Sequence, residues 1–416
     1  MKILIVSTSN KMDYMLGEYI NKKNLPEAEY TLVQERYGEE PLKRTFVDHY
    51  IPIYDIGDID EVKQVAKKCE KYGKFDYIIH TDEYSVILAE KIKYLLNYGK
   101  NNIPSILKFR DKEVMKQNIQ NVRKPKLYKK SELKDNPLCF PVIIKPRSYA
   151  ASNGIHKADS YEELKEIIEK YQLKFLEYDM EYDYLKYEEA EENDVEIEEY
   201  IDGITYHIDG IVFYGEIIFC AASQYVNSCL DFSTGIPLGS IYVNDEKEQR
   251  DWLEFSKKIN EDLKIPDGVF HMEAFRDNKG ERIFLEIAIR TGGGLIPKVT
   301  HFAQGIDLNL AHIQCQLGIK PNIIIKNHNE YGFLMISNMT LPNDRNLIVN
   351  VNLPEQALRS LVNIKLPYIG DVVERHNNYS NLIGEFLFQS NDPEQIIKDM
   401  NCLMRDYSVE VKEVVE

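Results

Sequence analysis

The sequence predicts an α/β chain, α+β in part, and three features carry that expectation. Residues 1–100 alternate strand-like and helix-like runs. Residues 204–226 and 269–290 each read as a pair of long strands around a turn. Residues 330–416 then restart an alternating pattern of strands and a helix. At 416 residues the chain exceeds one ordinary core, and roughly 100–200 residues per domain suggests two to four domains.

KILIV, YTLVQE and FDYIIHT are the first strands, with DYMLGEYINKK as a helix between the first two. DIDEVKQVAKKCEKYG opens with acids, spaces its apolar residues by three and four and stops at Gly73, so it is a helix with sensible ends. EYSVILAEKIKYLLNYG is a further helix. Strand–helix alternation implies a parallel sheet covered by helices. No GxGxxG follows the first strand, so the dinucleotide fingerprint is missing.

Residues 101–125 read as a linker and a short helix, and PVIIK (141–145) as a strand. SYEELKEIIEKY begins with Ser160 and has Glu163 three residues on, a capping-box start. Residues 177–193, dense in acids and tyrosines, read as a solvated connection leading into a strand. EKEQRDWLEFSKKINEDL and GIDLNLAHIQCQLG are helices. LIVNVNL, LVNIKL and NLIGEFLFQS are strands of a C-terminal α+β part, with DPEQIIKDMNCLM as its helix. The expected division is 1–104, 105–325 with a small subdomain at about 125–200, and 326–416.

The composition is globular, at 44% hydrophobic and 11% aromatic residues. No run approaches the ~18 apolar residues of a membrane span. MKILIVS lacks a cleavage site and reads as a strand, so a cytoplasmic protein is expected. The formal charge of −17 argues against a nucleic-acid partner. It leaves room for a small anion held at a local basic site. Six scattered cysteines without a CxxC pair read as reduced thiols.

The chemistry begins in the second long hairpin. His271, Glu273 and Phe275 share one strand face, as do Phe284, Glu286, Ala288 and Arg290. If Arg276 pairs with Ile283, Glu273 lies opposite Glu286, with Cβ atoms about 5 Å apart. Two such carboxylates repel unless a proton or a cation is shared. A hard divalent ion answers this, and a solvent-facing hairpin is the alternative. Arg290 could hold one of these carboxylates or reach a phosphate. Gly292, Gly293 and Gly294 allow a ligand to approach the backbone closely, or simply make a turn.

Lys145 ends an apolar strand, where a buried cation needs an anion, unless it snorkels to solvent. The small residues from Ser148 through Ser152 to Gly154 suit a loop over phosphates, or a surface turn. Lys112 opens a short helix. Glu198, Glu199, Tyr200 and Ile201 could present backbone amides and an apolar side chain to a flat ring, with His207 a polar neighbour or a structural histidine. Residues 223–240 are rich in Ser, Thr and Gly and suit the wall of a small polar pocket, or an ordinary connection.

The order of these parts resembles the ATP-grasp superfamily over roughly residues 105–320, and the carboxylate–amine, L-amino-acid ligase branch of it. The resemblance implies an ATP-grasp fold behind a Rossmann-like N-terminal domain. It implies ATP and Mg²⁺ (Mn²⁺ as a substitute) as cofactors. Lys112 and Lys145 would bind ATP phosphates, and Glu198 to Ile201 would grip adenine, with Ser148, Ser152 and His207 also on the nucleotide. Glu273 and Glu286 would hold the metal, and Arg290 would steady the transferred phosphate. Ala288 stands where the family often has an asparagine ligand, Thr205 lies near the place of a ribose-binding acid, and SYAASNG replaces a glycine run.

The implied reaction activates an amino-acid or similar carboxylate as an acyl phosphate and joins it to an amine, releasing ADP and phosphate. Lys145 and Arg290 would be catalytic through charge, and the glycines would border the acyl group. Transfer to an acyl-carrier-protein thiol is the first alternative; a nucleotide-binding regulator without turnover is the second. A homodimer is compatible with this reading.

Overall fold

The structure is a computed structural model. It describes residues 1–416 apart from 10–11, 37–45, 101, 130–131, 133–138, 149–153, 175–193, 325–329, 376–381 and 415–416, and element counts refer to the described residues.

The N-terminal strands β1 (Lys2–Ser7), β2 (Glu29–Glu35), β3 (His49–Ile53) and β4 (Tyr77–His80) form a sheet in the order β3-β2-β1-β4. Every pairing is parallel. Ile3 and Ile5 pack with Leu16 and Leu32 on one face. Leu4 and Val6 meet Val62 and Val65 on the other. A sheet buried on both faces needs such continuous apolar runs. Strand β3 is an addition to the sequence expectation. Its Pro52 cannot donate a ladder bond, and β3 lies at the sheet edge, where a proline is tolerated.

A second sheet joins β5 (Leu127–Tyr128), β6 (Val142–Pro146), β7 (His156–Ala158) and β8 (Val195–Glu199) in the order β5-β8-β6-β7, antiparallel throughout. Its apolar face, Val142, Ile144 and Ile197, is covered by Leu164 of the helix Tyr161–Lys170. The Ser160 hydroxyl accepts from the Glu163 amide at 3.2 Å, as the capping signal predicts. The Glu163 carboxylate, however, accepts from Asp159 rather than from Ser160.

The largest sheet has eight antiparallel strands. They are β9 (Gly203–Phe213), β10 (Glu216–Val226), β11 (Leu238–Tyr242), β12 (Gly268–Asp277), β13 (Arg282–Ala288), β14 (Glu330–Ser337), β16 (Leu361–Lys365) and β18 (Leu382–Ser390). Their order is β13-β12-β9-β10-β11-β14-β18-β16. The β9–β10 turn is made by Tyr214 and Gly215, both at positive φ, as a tight hairpin requires. The helix Glu246–Leu263 buries Trp252, Phe255 and Ile259 in a core shared with Met272, Phe270 and Phe284.

The C-terminal part adds a small sheet of β15 (Arg345–Asn352), β17 (Val372–Glu374) and β19 (Ser408–Glu413), in the order β17-β15-β19. The helix Pro393–Asp406 packs Ile396, Met400 and Leu403 against Leu334, Phe386 and Phe388. Pairing of β11 with β14 carries the eight-stranded sheet across residue 326. Mixed α/β architecture is thus observed, as the strand–helix patterns predict. No helix among the described residues is long and apolar enough to cross a membrane.

Candidate active site

A cavity of about 1190 Å³ lies between the second sheet and the eight-stranded sheet. Ile143 and Lys145 line it from β6, residues 198–201 from the end of β8, and Glu273, Phe275, Leu285 and Glu286 from the β12–β13 hairpin. A smaller cavity of about 150 Å³ adjoins it. Lys112, Tyr225, Cys229, Glu273 and Glu286 line both.

Glu273 and Glu286 are register partners, as expected, but by a different route. Arg276 pairs with Arg282 and Phe275 with Ile283, one residue away from the assumed register. A bulge between Glu273 and Ala274 on the β12 side, with Leu285 as the extra residue of β13, restores the Glu273–Glu286 pairing. The bulge also corrects the expected faces. Phe284 turns into the helix-covered core, whereas Leu285 and Glu286 line the cavity. The strand ends at Ala288, so Arg290 lies beyond it.

The two carboxylates have unequal surroundings. Glu273 accepts from the Tyr225 hydroxyl at 3.1 Å, and the His271 Nε2 lies 3.8 Å away. Burial would raise its carboxyl, but His271, Tyr225 and Cys229 hold it below the ordinary carboxylate range. Glu286 is a third exposed and lies 3.6 Å from the Lys112 ammonium. Two oxygen donors in register on a cavity wall fit the ligand chemistry of a hard divalent ion.

Lys112 and Lys145 reach the same wall through one local device. Asp111 caps the helix Lys112–Gln117, accepting from the Glu113 and Val114 amides. It also accepts from the Arg147 guanidinium at 3.0 to 3.2 Å. The Lys112 amide donates to the Arg147 carbonyl at 2.9 Å. This ties the helix start to the end of β6, where Lys145 sits.

Lys145 is buried and lies 2.7 Å from Glu198 and 3.8 Å from Glu196. Lys116, fully buried, pairs with the same two carboxylates. Glu198 therefore points its charge at two lysines, while Glu199 pairs with Arg123 at 3.2 Å. Burial lowers the Lys145 pKa, Glu198 pulls it back up, and Lys116 pushes it further down. Lys116 is raised, because Glu196 and Glu198 outweigh its burial. Tyr200 and Ile201 line the large cavity beside them, the former partly exposed.

Arg290 lines the small cavity and is held by Glu83 at 2.5 Å. Arg110 pairs with the other oxygen of Glu83. Burial would raise the Glu83 carboxyl, but Arg290, Arg110 and Lys112 bring it down to about 2.

The three glycines differ. A Cβ on Gly292 would meet Ile296 at 2.8 Å and Asp209 at 2.9 Å, so this glycine serves close packing. Gly293 has open space and lines the small cavity. Gly294 has φ +57, a conformation that glycine adopts without strain.

His207 is not on the wall of either cavity. It is buried, with Nδ1 2.7 Å from Asp209 and Nε2 2.7 Å from Ser240. Asp209 also meets His271 Nδ1 at 3.0 Å, completing a chain that ends at Glu273. His207 thus lies behind Glu273, linked to it through Asp209 and His271. Ser148 is buried, and its carbonyl accepts from Arg110 at 3.2 Å. Ser152 and residues 177–193 lie outside the described residues. Of the stretch 223–240, residues 224–231 line the large cavity and Leu238 the small one.

Sequence reasoning missed Lys116, Glu196, Glu83 and Arg110. Glu196 pairs directly with Lys145 across β6–β8, and acids at alternate positions facing a strand lysine were a readable signal. Lys116 follows Lys112 by four residues, one helical turn along the same face. Glu83 follows the carboxyl end of β4, where ligands of open parallel sheets collect.

Residues 138–298 match the model of the ATP-grasp domain family. Over that stretch the chain is similar to ATP-grasp domains. Among curated proteins it is 24% identical over 302 residues to an L-arginine-specific L-amino acid ligase from Bacillus subtilis, spanning 68% of each chain. Among solved structures it resembles an L-amino acid ligase from Bacillus licheniformis, with a TM-score of 0.73 and 16% identity over 99% of both chains. It also resembles an N5-carboxyaminoimidazole ribonucleotide synthetase from Thermotoga maritima, with a TM-score of 0.64 and 16% identity over 98% and 99% of the chains. The ATP-grasp fold expected from the sequence is therefore present, and two of these relatives are amino-acid ligases.

Proposed function

We propose that this protein is an ATP-dependent ligase that activates the carboxylate of an amino acid or similar small acid and joins it to an amine. The observation that carries this reading is the Glu273–Glu286 pair on the wall shared by both cavities, with Lys112 beside it. The large cavity has room for a nucleotide, and the small one for the group that receives its phosphoryl.

Carboxylate is a poor electrophile, so it must first be phosphorylated to a mixed anhydride. A substrate carboxylate oxygen attacks the γ-phosphorus of ATP, the bond to the β-γ bridging oxygen breaks, and ADP leaves. The amine nitrogen then attacks the acyl carbon. Phosphate departs with the electron pair of the C–O bond, and the ammonium product sheds a proton to water. Glu273 and Glu286 would hold Mg²⁺, which spreads the charge of the phosphoryl group. Lys112 and Lys145 supply fixed positive charge to the phosphates. Residues 198–201 hold the base. Arg290, kept in place by Glu83, meets the transferred phosphoryl from the small-cavity side. His207 acts at one remove, through Asp209 and His271, on Glu273. No covalent enzyme nucleophile is required, since positioning and charge suffice.

The test is a screen of ATP, Mg²⁺ and single or paired amino acids, read as ADP, phosphate and product mass. A new amide product with matching ADP and phosphate is expected. Neither ADP nor phosphate with any acid would overturn the ligase reading, and a product formed only on a carrier-protein thiol would replace the amine acceptor.

A further inference from the structure

The small cavity has two unlike ends. One is ionic, made of Glu273, Glu286, Lys112 and Arg290. The other is apolar, with Leu238, Ile296, Phe333 and Met335 each at most 4% exposed. Leu238 and Met335 are register partners across β11–β14, so this end is built on the rigid sheet. Ile296 comes from the helix that follows the three glycines.

We infer that the apolar end receives the side chain of the activated amino acid, and that this side chain is neutral and apolar, between valine and phenylalanine in size. The inference rests on the ligase reading and adds the substrate class. Its geometry follows from the two ends. A carboxylate at the Glu273–Glu286 wall, ready to meet a phosphoryl group, leaves its side chain directed at Leu238, Phe333 and Met335. The volume of about 150 Å³, shared with the ionic end, caps the side chain, since a wholly apolar cavity of that size takes a molecule no larger than benzene.

Charge excludes the alternative suggested by the arginine-specific relative. A guanidinium in this cavity would need a carboxylate. Among the described lining residues the carboxylates are Glu273, Glu286 and Glu83. The first two form the reacting wall. Glu83 is bound by both Arg290 and Arg110. A cationic side chain would thus be desolvated among Leu, Ile, Phe and Met, at a cost that a hydrophobic chain does not meet.

The experiment uses the full chain with ATP, Mg²⁺ and hydroxylamine, each amino acid supplied alone. Hydroxylamine intercepts the activated acyl group, so hydroxamate reports the donor without an acceptor. Leucine, isoleucine, valine, methionine or phenylalanine should give at least ~10-fold more hydroxamate than arginine, lysine, aspartate or glutamate. Preference for a charged donor, with hydroxamate formed, would overturn the pocket assignment and leave the ligase reading intact. No hydroxamate and no ADP with any amino acid would instead remove the ligase reading itself. Met335→Ala and Ile296→Ala each widen the apolar end, and either should move the preference toward larger apolar donors. The profile of the unaltered protein decides the inference even if one variant folds poorly.

Discussion

Glu273 and Glu286 face each other across the β12–β13 hairpin because one extra residue, Leu285, is accommodated between Phe284 and Glu286. The bulge sends Phe284 into the core while Leu285 and Glu286 face the cavity. Bulges of this kind re-aim side chains next to functional sites. Glu273 is braced by Tyr225 and by the His271–Asp209–His207 chain, whereas Glu286 meets Lys112 at the rim.

Glu286→Gln keeps the size and removes the charge. Turnover should fall ~100-fold or more, with the far-ultraviolet circular dichroism unchanged. Glu273→Gln should act similarly and also weaken the hold of His271. Turnover within twofold of the parent for Glu286→Gln would remove this residue from the proposed metal site.

Lys116 neutralises half of a buried group of four charges. Lys116→Met leaves Glu196 and Glu198 with Lys145 as their remaining lysine partner. The expected loss is about 3–5 kcal/mol in urea unfolding, since a broken buried pair strands a charge. The double change Lys116→Met with Glu196→Gln should recover part of that loss. Additive losses would show that the pair is not coupled.

These two cases show what could be read in the chain before folding. Glu273, Glu286, Lys112 and Lys145 were legible because each sits in a local pattern: alternation on a strand, the start of a helix, the end of an apolar run. The right pairing of the two glutamates came from a register that was off by one, and only the bulge reconciles them; no residue of 281–287 announces it. Glu83 was not legible as a partner of Arg290, because 207 residues separate them and the fold alone joins them. His207 looked like a nucleotide neighbour from its position after β8, but the pleat of β9 turns it toward Asp209 and Ser240. Strand β3 was hidden by Pro52, which is harmless at an edge.

Glu83 makes stability depend on acid pH in a defined sense. Its folded pKa, about 2, lies below the ordinary value of 4.5. The paired carboxylate therefore contributes stability above the unfolded value, and that contribution is lost as pH falls through the folded value. The loss attributable to Glu83 should be about 2 kcal/mol between pH 5 and pH 3. Urea midpoints of the parent and of Glu83→Gln should therefore converge over that interval. Parallel curves would mean that Glu83 is not held by Arg290 and Arg110 in solution.

The triple glycine separates packing from access at adjacent positions. Gly292→Ala would drive a methyl into Ile296 and the Asp209 carboxylate, both closer than 3 Å to it. Neither can yield easily: Ile296 lines the small cavity, and Asp209 holds two histidines. A loss of about 1–3 kcal/mol is expected, as for other overpacked positions. Gly293→Ala meets nothing within 4 Å and should leave stability within ~0.5 kcal/mol. Its methyl would instead narrow the small cavity, raising KM for the acyl donor while the affinity for ADP stays constant. Thermal unfolding and donor titrations of both variants check this. A stable Gly292→Ala with an unstable Gly293→Ala would reverse the assignment of packing to the first glycine and access to the second.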